Sequence, residues 1–280
     1  MDIAKLKSAI NTLEKIDPAD KFAYEKAIIA FESIGHLPIL IKKIEETIKI
    51  FRTRTHDSPD YFTKISDISI TPSSYVKAFA RCNKPYQSIF YGAENRPTSF
   101  MELVEYWAET TKFGDKLFVT IGMWETTKPV NLIIVTTPDI TKRDSDFDKE
   151  HGLGYDEHLK KRSKEDQQFS SVFYNYMFDK FRSRAKHDLK TYIITSAYSN
   201  LALTRAGGNA DGISYPSVPF NEKGVNFALL ENYFKSSLRL INVMRLQFEI
   251  SPTDQGKHKF TELQNVMTNK ISMADGTIEW

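Results

Sequence analysis

The sequence lacks most of the features that would assign it to a well-marked class of protein. Its 280 residues include one cysteine, Cys82, so neither an intrachain disulfide nor a zinc site of four thiolates can form. It has no run of 18 apolar residues, and its N-terminal residues lack the apolar core of a secretory signal. These absences predict a cytoplasmic protein with no membrane partner.

An excess of charge of one sign is also missing. The chain has 38 Lys and Arg residues against 36 Asp and Glu residues, which gives a formal net charge of +2. A nucleic-acid-binding surface usually shows as a marked basic excess, so no nucleic-acid partner is predicted. A small phosphorylated ligand needs only a few well-placed arginines, and this charge balance is compatible with such a site.

Several common catalytic motifs are absent. The chain has no GxGxxG or GxxxxGK[ST] motif, which argues against a Rossmann domain and a P-loop, and no HExxH or GxSxG motif. Its six histidines lie far apart in sequence, at His36, His56, His151, His158, His187 and His258. Because this spacing is not typical of a metal site, no metal cofactor is expected.

The sequence does contain enough apolar material for a packed core, with 41% hydrophobic and 12% aromatic residues. Residues 1–50 carry apolar residues at helical spacing, interrupted near Pro18 and Gly35. This pattern predicts three short helices, the last over Ile39–Ile48. We expect them to form an N-terminal helical segment that precedes one principal domain, residues 51–280.

After Phe51 the pattern changes to short β-rich runs with helices between them, which predicts an α/β (α+β) fold of short mixed strands with flanking helices. The clearest strands are predicted at Gln87–Tyr91, Leu117–Trp124, Val130–Thr136, Gly212–Tyr215, Asn226–Leu230 and Arg239–Ile250. Helices are predicted at Thr98–Thr111, Gln167–Arg184 and Asp188–Arg205, with a short helix from Glu231. The charged stretch Asp139–Asp166 predicts a solvated loop with a polar helix.

Short segments in a particular order support the functional hypothesis. They are FR (51–52), ARCN (80–83), SIFYGAE (88–94), MELVE (101–105), DGISYPS (211–217) and GVNFAL (224–229). This order resembles the RES-domain family of NAD-degrading proteins. The resemblance covers about residues 51–230, with 137–209 matched only loosely. Ala80 stands where the family usually has glycine, and Cys82 fills a position that is often aromatic.

The resemblance implies an ADP-ribosyltransferase-like fold that binds NAD in a cleft and breaks the nicotinamide–ribose bond by phosphorolysis or hydrolysis. By position it implies catalytic roles for Arg81, Tyr91, Glu102 and Ser217. It implies NAD-binding roles for Arg52, Arg81, Tyr91, Asn83 and Ser217. Glu105 remains an alternative to Glu102, since it lies one helical turn later. Some members of the family are toxins held by an antitoxin, so an antitoxin protein is an implied partner.

The residue types suit this chemistry without the family name. A carboxylate such as Glu102 can stabilise an oxocarbenium-like ribose or orient the attacking phosphate or water. Arg52 and Arg81 suit a diphosphate, the Tyr91 ring suits packing against nicotinamide or ribose, and the Ser217 hydroxyl suits a phosphate or the carboxamide. Asn83 is also expected to fix the turn after Arg81.

Two other functions remain open at this point. One is transfer of ADP-ribose to a protein or nucleic acid that docks on Asp139–Asp166. The other is a non-catalytic module that binds NAD or a partner, with the N-terminal helices as its working surface. The departures at Ala80 and Cys82 are the reason to keep this last reading.

Overall fold

A computed structural model describes residues 2–56, 58–143, 145–183, 188–217, 224–254 and 258–280, and all of their side chains except those of residues 104–109. The helices in these ranges are α1 (Ile3–Glu14), α2 (Ala23–Ser33), α3 (Arg96–Thr110), α4 (Asp146–Lys160), α5 (Lys164–Arg182), α6 (Leu189–Arg205) and α7 (Glu231–Ser237). The strands are β1 (Ile41–Ile44), β2 (Lys49–His56), β3 (Ile89–Ala93), β4 (Lys116–Thr126), β5 (Val130–Ile134), β6 (Gly212–Pro216), β7 (Val225–Leu230), β8 (Leu238–Pro252), β9 (His258–Thr268), β10 (Lys270–Ser272) and β11 (Thr277–Glu279). The predicted α/β class, a mixed sheet with flanking helices, is confirmed.

Nine of the strands form one sheet in the order β1-β5-β6-β7-β3-β2-β4-β8-β9. Strands β5 and β6 run parallel, and the other neighbours are antiparallel. The junction between β2 and β3 is unusually short, because Phe51 and Ala93 form its one paired position. The two strands therefore diverge beyond this point, and a split opens in the middle of the sheet.

Helices α1, α2, α5 and α6 cover one face of the sheet. In α1 the buried residues Leu6, Ala9 and Leu13 recur at the three- and four-residue spacing that places them on one side of a helix. They join the same hydrophobic core as Phe173 of α5 and Tyr198 of α6. The N-terminal helices thus share the core on which the sheet itself packs.

A second core lies on the other face of the sheet. It combines aliphatic side chains with packed aromatic rings, in which Phe90 of β3 is stacked on Phe234 of α7 at 4.7 Å and is in edge contact with Trp124 of β4 at 5.5 Å. A smaller cluster joins α3 to the long strands, where Phe100 lies 4.9 Å from Phe248 of β8. These contacts anchor β3 and α3, the two elements that border the split.

The predicted third N-terminal helix over Ile39–Ile48 is wrong. Residues Ile41–Ile44 form β1, which pairs with β5 from Ile41 opposite Ile133 to Ile44 opposite Val130. Isoleucine is β-branched and favours strands, and β5 offers an open edge to which the segment can hydrogen-bond. The other predicted strands and helices are present, with ends shifted by a few residues, and the predicted end of one helix, Arg184, lies outside the described residues. Strand β2 begins two residues before the β-rich pattern predicted from Phe51, and strands β9 to β11 were not predicted.

Among the helices that the structure describes, none is both long enough and apolar enough to cross a membrane.

Candidate active site

The split between β2 and β3 leads into a cavity of about 250 Å³. Helix α3 forms one wall, the start of α6 forms another, and strands β2, β3, β6 and β7 form the floor. Four residues that the sequence singled out line this cavity: Arg52, Arg81, Tyr91 and Glu102. Residues as distant in the sequence as Arg52 and Glu102 therefore line the same cavity.

The carboxylate of Glu102 is held in a fixed position beside the cavity. Its Oε1 atom accepts a hydrogen bond from the Ser217 hydroxyl at 2.8 Å and another from Asn226 Nδ2 at 2.7 Å. Both donors are buried, whereas the Glu102 side chain as a whole is exposed. The second oxygen, Oε2, has no hydrogen-bond partner within the described ranges, so one oxygen is anchored and the other is available to a ligand.

Local backbone geometry brings these three residues together. Tyr215 of β6 pairs with Asn226 of β7, and the backbone N–H of Ser217 donates to the carbonyl of Gly224 at 2.7 Å. A Cβ atom on Gly224 would lie 2.2 Å from Thr98 Oγ1. A glycine is therefore required for α3 to approach the end of β7, and this approach places Glu102, one turn after Thr98, within reach of its donors.

Arg52 bridges the diverging strands on the opposite side of the cavity. Its Nη1 donates to the backbone oxygen of Tyr91 at 2.8 Å and its Nη2 donates to Thr71 Oγ1 at 3.3 Å, while its buried Nε has no partner in the described structure. Burial lowers the pKa of Arg52 to about 9, with repulsion from Arg54 as the second cause. The guanidinium is still protonated at neutral pH.

No carboxylate within the described ranges pairs with Arg52 or with Arg54. Arg54 instead donates to the carbonyl of Ser69 at 3.1 Å and to Thr71 Oγ1 at 2.9 Å. Arg54 interacts electrostatically with Asp67 but forms no direct ion pair with it, so the two neighbouring guanidinium groups create a local positive potential. The potential favours an anion at this end of the cavity.

Arg81 adds a third positive charge to the site. Its two Nη atoms donate to backbone carbonyls at the end of α5, to Ser183 at 2.7 Å and to Lys180 at 3.3 Å. The guanidinium also lies over the ring of Tyr192, 5.9 Å from its centroid. These contacts orient Arg81 without neutralising it, since no ion pair of Arg81 occurs among the described residues.

Tyr91 and Asn83 support the site from below. The Tyr91 hydroxyl accepts from the backbone N–H of Cys82 at 2.9 Å and donates to Asn83 Oδ1 at 2.9 Å, so its ring, and not its hydroxyl, faces the cavity. Burial raises the pKa of Tyr91 well above its ordinary value. Asn83 Nδ2 also donates to the carbonyls of Ala78 and Lys84, which fixes the turn after Arg81 as expected.

Neither Asn83 nor Ser217 lines the cavity. Asn83 contacts the Tyr91 hydroxyl, and Ser217 contacts Glu102, so each acts through another residue. All the residues assigned from the sequence lie in or next to this cavity. Some of them line it, whereas Asn83 and Ser217 position residues that do. Glu105, the alternative to Glu102, has its side chain outside the described residues.

The sequence reasoning assigned no role to several residues that line the cavity, among them Tyr192, Tyr215 and Asn226. Burial raises the pKa of Tyr215 well above its ordinary value, and its hydroxyl has no hydrogen-bond partner among the described residues. It is therefore a neutral donor available to a ligand. Asn226 lies in the GVNFAL segment that supported the resemblance, so a signal for it was present, whereas Tyr192 lies in the loosely matched span.

The described residues contain no cluster of three or more His, Cys, Asp or Glu side chains with the geometry of a metal site.

A scan against models of known protein families finds no match to this chain, and a search of curated proteins finds no relative.

Proposed function

We propose that this protein cleaves the bond between nicotinamide and ribose in NAD, with phosphate or water as the acceptor. The observation that supports the proposal is the anchored carboxylate of Glu102, which faces a cavity that also holds the unneutralised guanidinium groups of Arg52 and Arg81. A fixed carboxylate opposite a cationic rim suits a substrate with a diphosphate on one side of its reacting carbon.

The proposed reaction breaks the bond between C1′ of the ribose and the nitrogen of nicotinamide. The bonding electron pair leaves with nicotinamide, which becomes neutral, and the ribose develops positive charge. The free oxygen of Glu102 stabilises this charge or orients the nucleophile, which then bonds to C1′. Ser217 and Asn226 hold the carboxylate in place, so that little reorganisation is needed as charge develops.

The arginines account for binding of the rest of the substrate. A cavity of about 250 Å³ lies just below the ~300–1,000 Å³ that is typical of small-molecule pockets, so it suits the reacting part of a dinucleotide and not the whole of it. The diphosphate would lie toward Arg52 and Arg81, where charge-assisted hydrogen bonds are available. The rings of Tyr91 and Tyr192 would pack against nicotinamide and ribose.

We also propose a fold type, a cellular location and a protein partner. A mixed sheet that splits beside the cavity is compatible with an ADP-ribosyltransferase-like fold. A cytoplasmic location suits the free, buried thiol of Cys82, because reducing compartments keep cysteines unpaired. An enzyme that consumes NAD would arrest growth, so an antitoxin protein that covers the cavity is the partner we propose.

The test is to incubate the purified protein with NAD, with and without phosphate, and to identify the products by mass spectrometry. Free nicotinamide is expected in both reactions if water is the acceptor, and only in the reaction with phosphate if phosphate is the acceptor. ADP-ribose 1″-phosphate would identify phosphate as the acceptor, and ADP-ribose would identify water. Glu157→Gln, an exposed glutamate on α4, is a matched control for a glutamate substitution and should retain full activity.

Two further measurements, with labelled NAD in a lysate and of NAD binding to the purified protein, distinguish the other functions. Label from NAD that appears on a protein or nucleic acid in a lysate, while free NAD is not hydrolysed, would replace the proposal with ADP-ribosyl transfer. Saturable NAD binding without nicotinamide release would indicate a binding module. If NAD neither binds nor is consumed, the proposal is wrong.

A further inference from the structure

A second and larger cavity, of about 870 Å³, lies at the far ends of α5 and α6. Tyr192 at the start of α6 lines the first cavity, and Arg205 at its end lines the second. Thirteen residues of helix separate them, which corresponds to about 20 Å at ~1.5 Å per residue. The second cavity is therefore distinct from the candidate active site and plays no part in the proposed reaction.

The interior of this cavity contains polar atoms that the described protein does not satisfy. Ser170 and Tyr174, one turn apart on α5, are only 5% and 4% exposed, and both line the cavity. Neither hydroxyl has a hydrogen-bond partner among the described residues. Their oxygen atoms are reachable from the cavity, whereas the hydroxyl of Tyr155, which also lines it, is buried and has no partner in the described structure, an arrangement that is costly for a polar group. A ligand with acceptor atoms would supply hydrogen-bond partners for these hydroxyl groups.

The mouth of the cavity is positively charged. Arg205 donates one hydrogen bond, from Nη1 to the carbonyl of Gly35 at 3.1 Å, and Arg162 follows the end of α4. Neither guanidinium forms an ion pair within the part of the chain that the structure describes. Asp166 is the one carboxylate among the described lining residues; its charge interacts with that of Arg162, and the arginines of the lining still outnumber it. The excess of unpaired cations favours a ligand with negative charge.

Part of the remaining lining is apolar. Leu37 and Leu40, from the segment between α2 and β1, line the cavity together with Leu159 of α4. A free inorganic anion would gain nothing from such a wall, whereas a molecule with an apolar body would bury surface against it. The volume lies within the ~300–1,000 Å³ that is typical of pockets for small organic ligands.

We propose that this cavity is a second binding site, for an organic anion with an apolar body: the anionic group contacts Arg162 and Arg205, its oxygens accept from Ser170 and Tyr174, and the body packs on the leucines. The site is independent of the proposed function, since none of these residues lines the first cavity. It provides a place where a metabolite could bind at the opposite end of two helices that border the active site.

The test uses 8-anilinonaphthalene-1-sulfonate, an aromatic sulfonate whose fluorescence rises on transfer to an apolar site. The parent protein should bind it saturably. The double variant Arg162→Gln/Arg205→Gln should raise Kd at least tenfold, and Tyr174→Phe, which keeps the ring, should raise it severalfold. The control Lys161→Gln/Arg239→Gln removes the same charge from exposed positions outside the cavity and should leave Kd unchanged.

Thermal unfolding of each variant separates lost binding from lost structure, and nicotinamide release from NAD should be equal in parent and variants. The proposal is overturned if the parent shows no saturable binding, or if the double variant and its control bind the probe equally well. Loss of probe binding in the Arg162→Gln/Arg205→Gln variant, with nicotinamide release equal to that of the parent, supports the proposal. Failure of NAD cleavage in the parent leaves the binding result interpretable, because the two readouts are independent.

Discussion

Removing the hydroxyl of Ser217 should slow catalysis and leave substrate binding almost unchanged. Ser217 donates to Glu102 Oε1 at 2.8 Å and does not line the cavity, so it can affect the substrate only through the carboxylate. A hydrogen bond to a charged group contributes about 1.5–3 kcal/mol, which corresponds to roughly 10- to 150-fold in rate. Because Asn226 still holds the same oxygen, we expect Ser217→Ala to lower kcat by about tenfold, at the lower end of this range.

The assay is steady-state release of nicotinamide over a range of NAD concentrations, which separates kcat from KM. Ser214→Ala is the matched control: Ser214 is also a buried serine, three residues earlier on β6, but its hydroxyl has no hydrogen-bond partner among the described residues. This variant should keep the parent kcat. The reasoning is refuted if Ser217→Ala retains the parent kcat, or if it raises KM while kcat stays constant.

Three further outcomes are expected. Arg81→Gln should raise KM for NAD about tenfold or more, with a smaller change in kcat, because the residue contributes charge to binding; steady-state kinetics would check this. Gly92→Ala should lower the free energy of unfolding by about 1–3 kcal/mol, measured by urea denaturation, because its Cβ would lie 2.4 Å from Ile50 Cγ2 beside the split. Burial, followed by repulsion from Lys42, lowers the pKa of His151 to about 4. Its unfolded pKa is higher, near 6.5, so the unfolded state binds more protons between these values and stability should fall as pH drops from about 6.5 to 4. His151→Gln should flatten that part of the stability curve, and an unchanged slope would contradict this account.

Much of the fold could be predicted because the main elements carry strong local patterns. Helix α5 has clear apolar periodicity, Asp188 caps the N-terminus of α6 through side-chain hydrogen bonds, and Gly207 follows the end of α6 with positive φ. Such signals depend on neighbours within one or two turns. They are therefore readable from one sequence.

The elements that were missed depend on partners far away in the chain. The short segment Ile41–Ile44 fits either a helix or a strand by pattern, and only the edge of β5 decides for the strand. Strand β9 lies at an exposed edge with mostly solvent-facing side chains, so it lacks the alternation that marks a half-buried strand. Its partner, β8, supplies the hydrogen bonds that define it.

In the candidate site, too, some features follow from local sequence and others depend on distant parts of the chain. Arg52, Tyr91 and Glu102 belong to segments with a recognisable order, and they reach the cavity. The roles of the supporting residues could not be predicted, because Ser217 was expected to contact substrate and instead contacts Glu102. That contact depends on the register of β6 against β7 and on the close approach of α3, which no local pattern specifies.

The most direct test of the account is the rate of nicotinamide release by Glu102→Gln at saturating NAD. The amide keeps the size of the side chain and its acceptor oxygen but removes the negative charge that the proposed mechanism requires. We predict that the variant binds NAD with an affinity close to that of the parent and releases nicotinamide at least 100-fold more slowly, the scale seen when one transition-state stabilising group is removed. Release at the parent rate by a folded, NAD-bound Glu102→Gln protein would contradict the central claim.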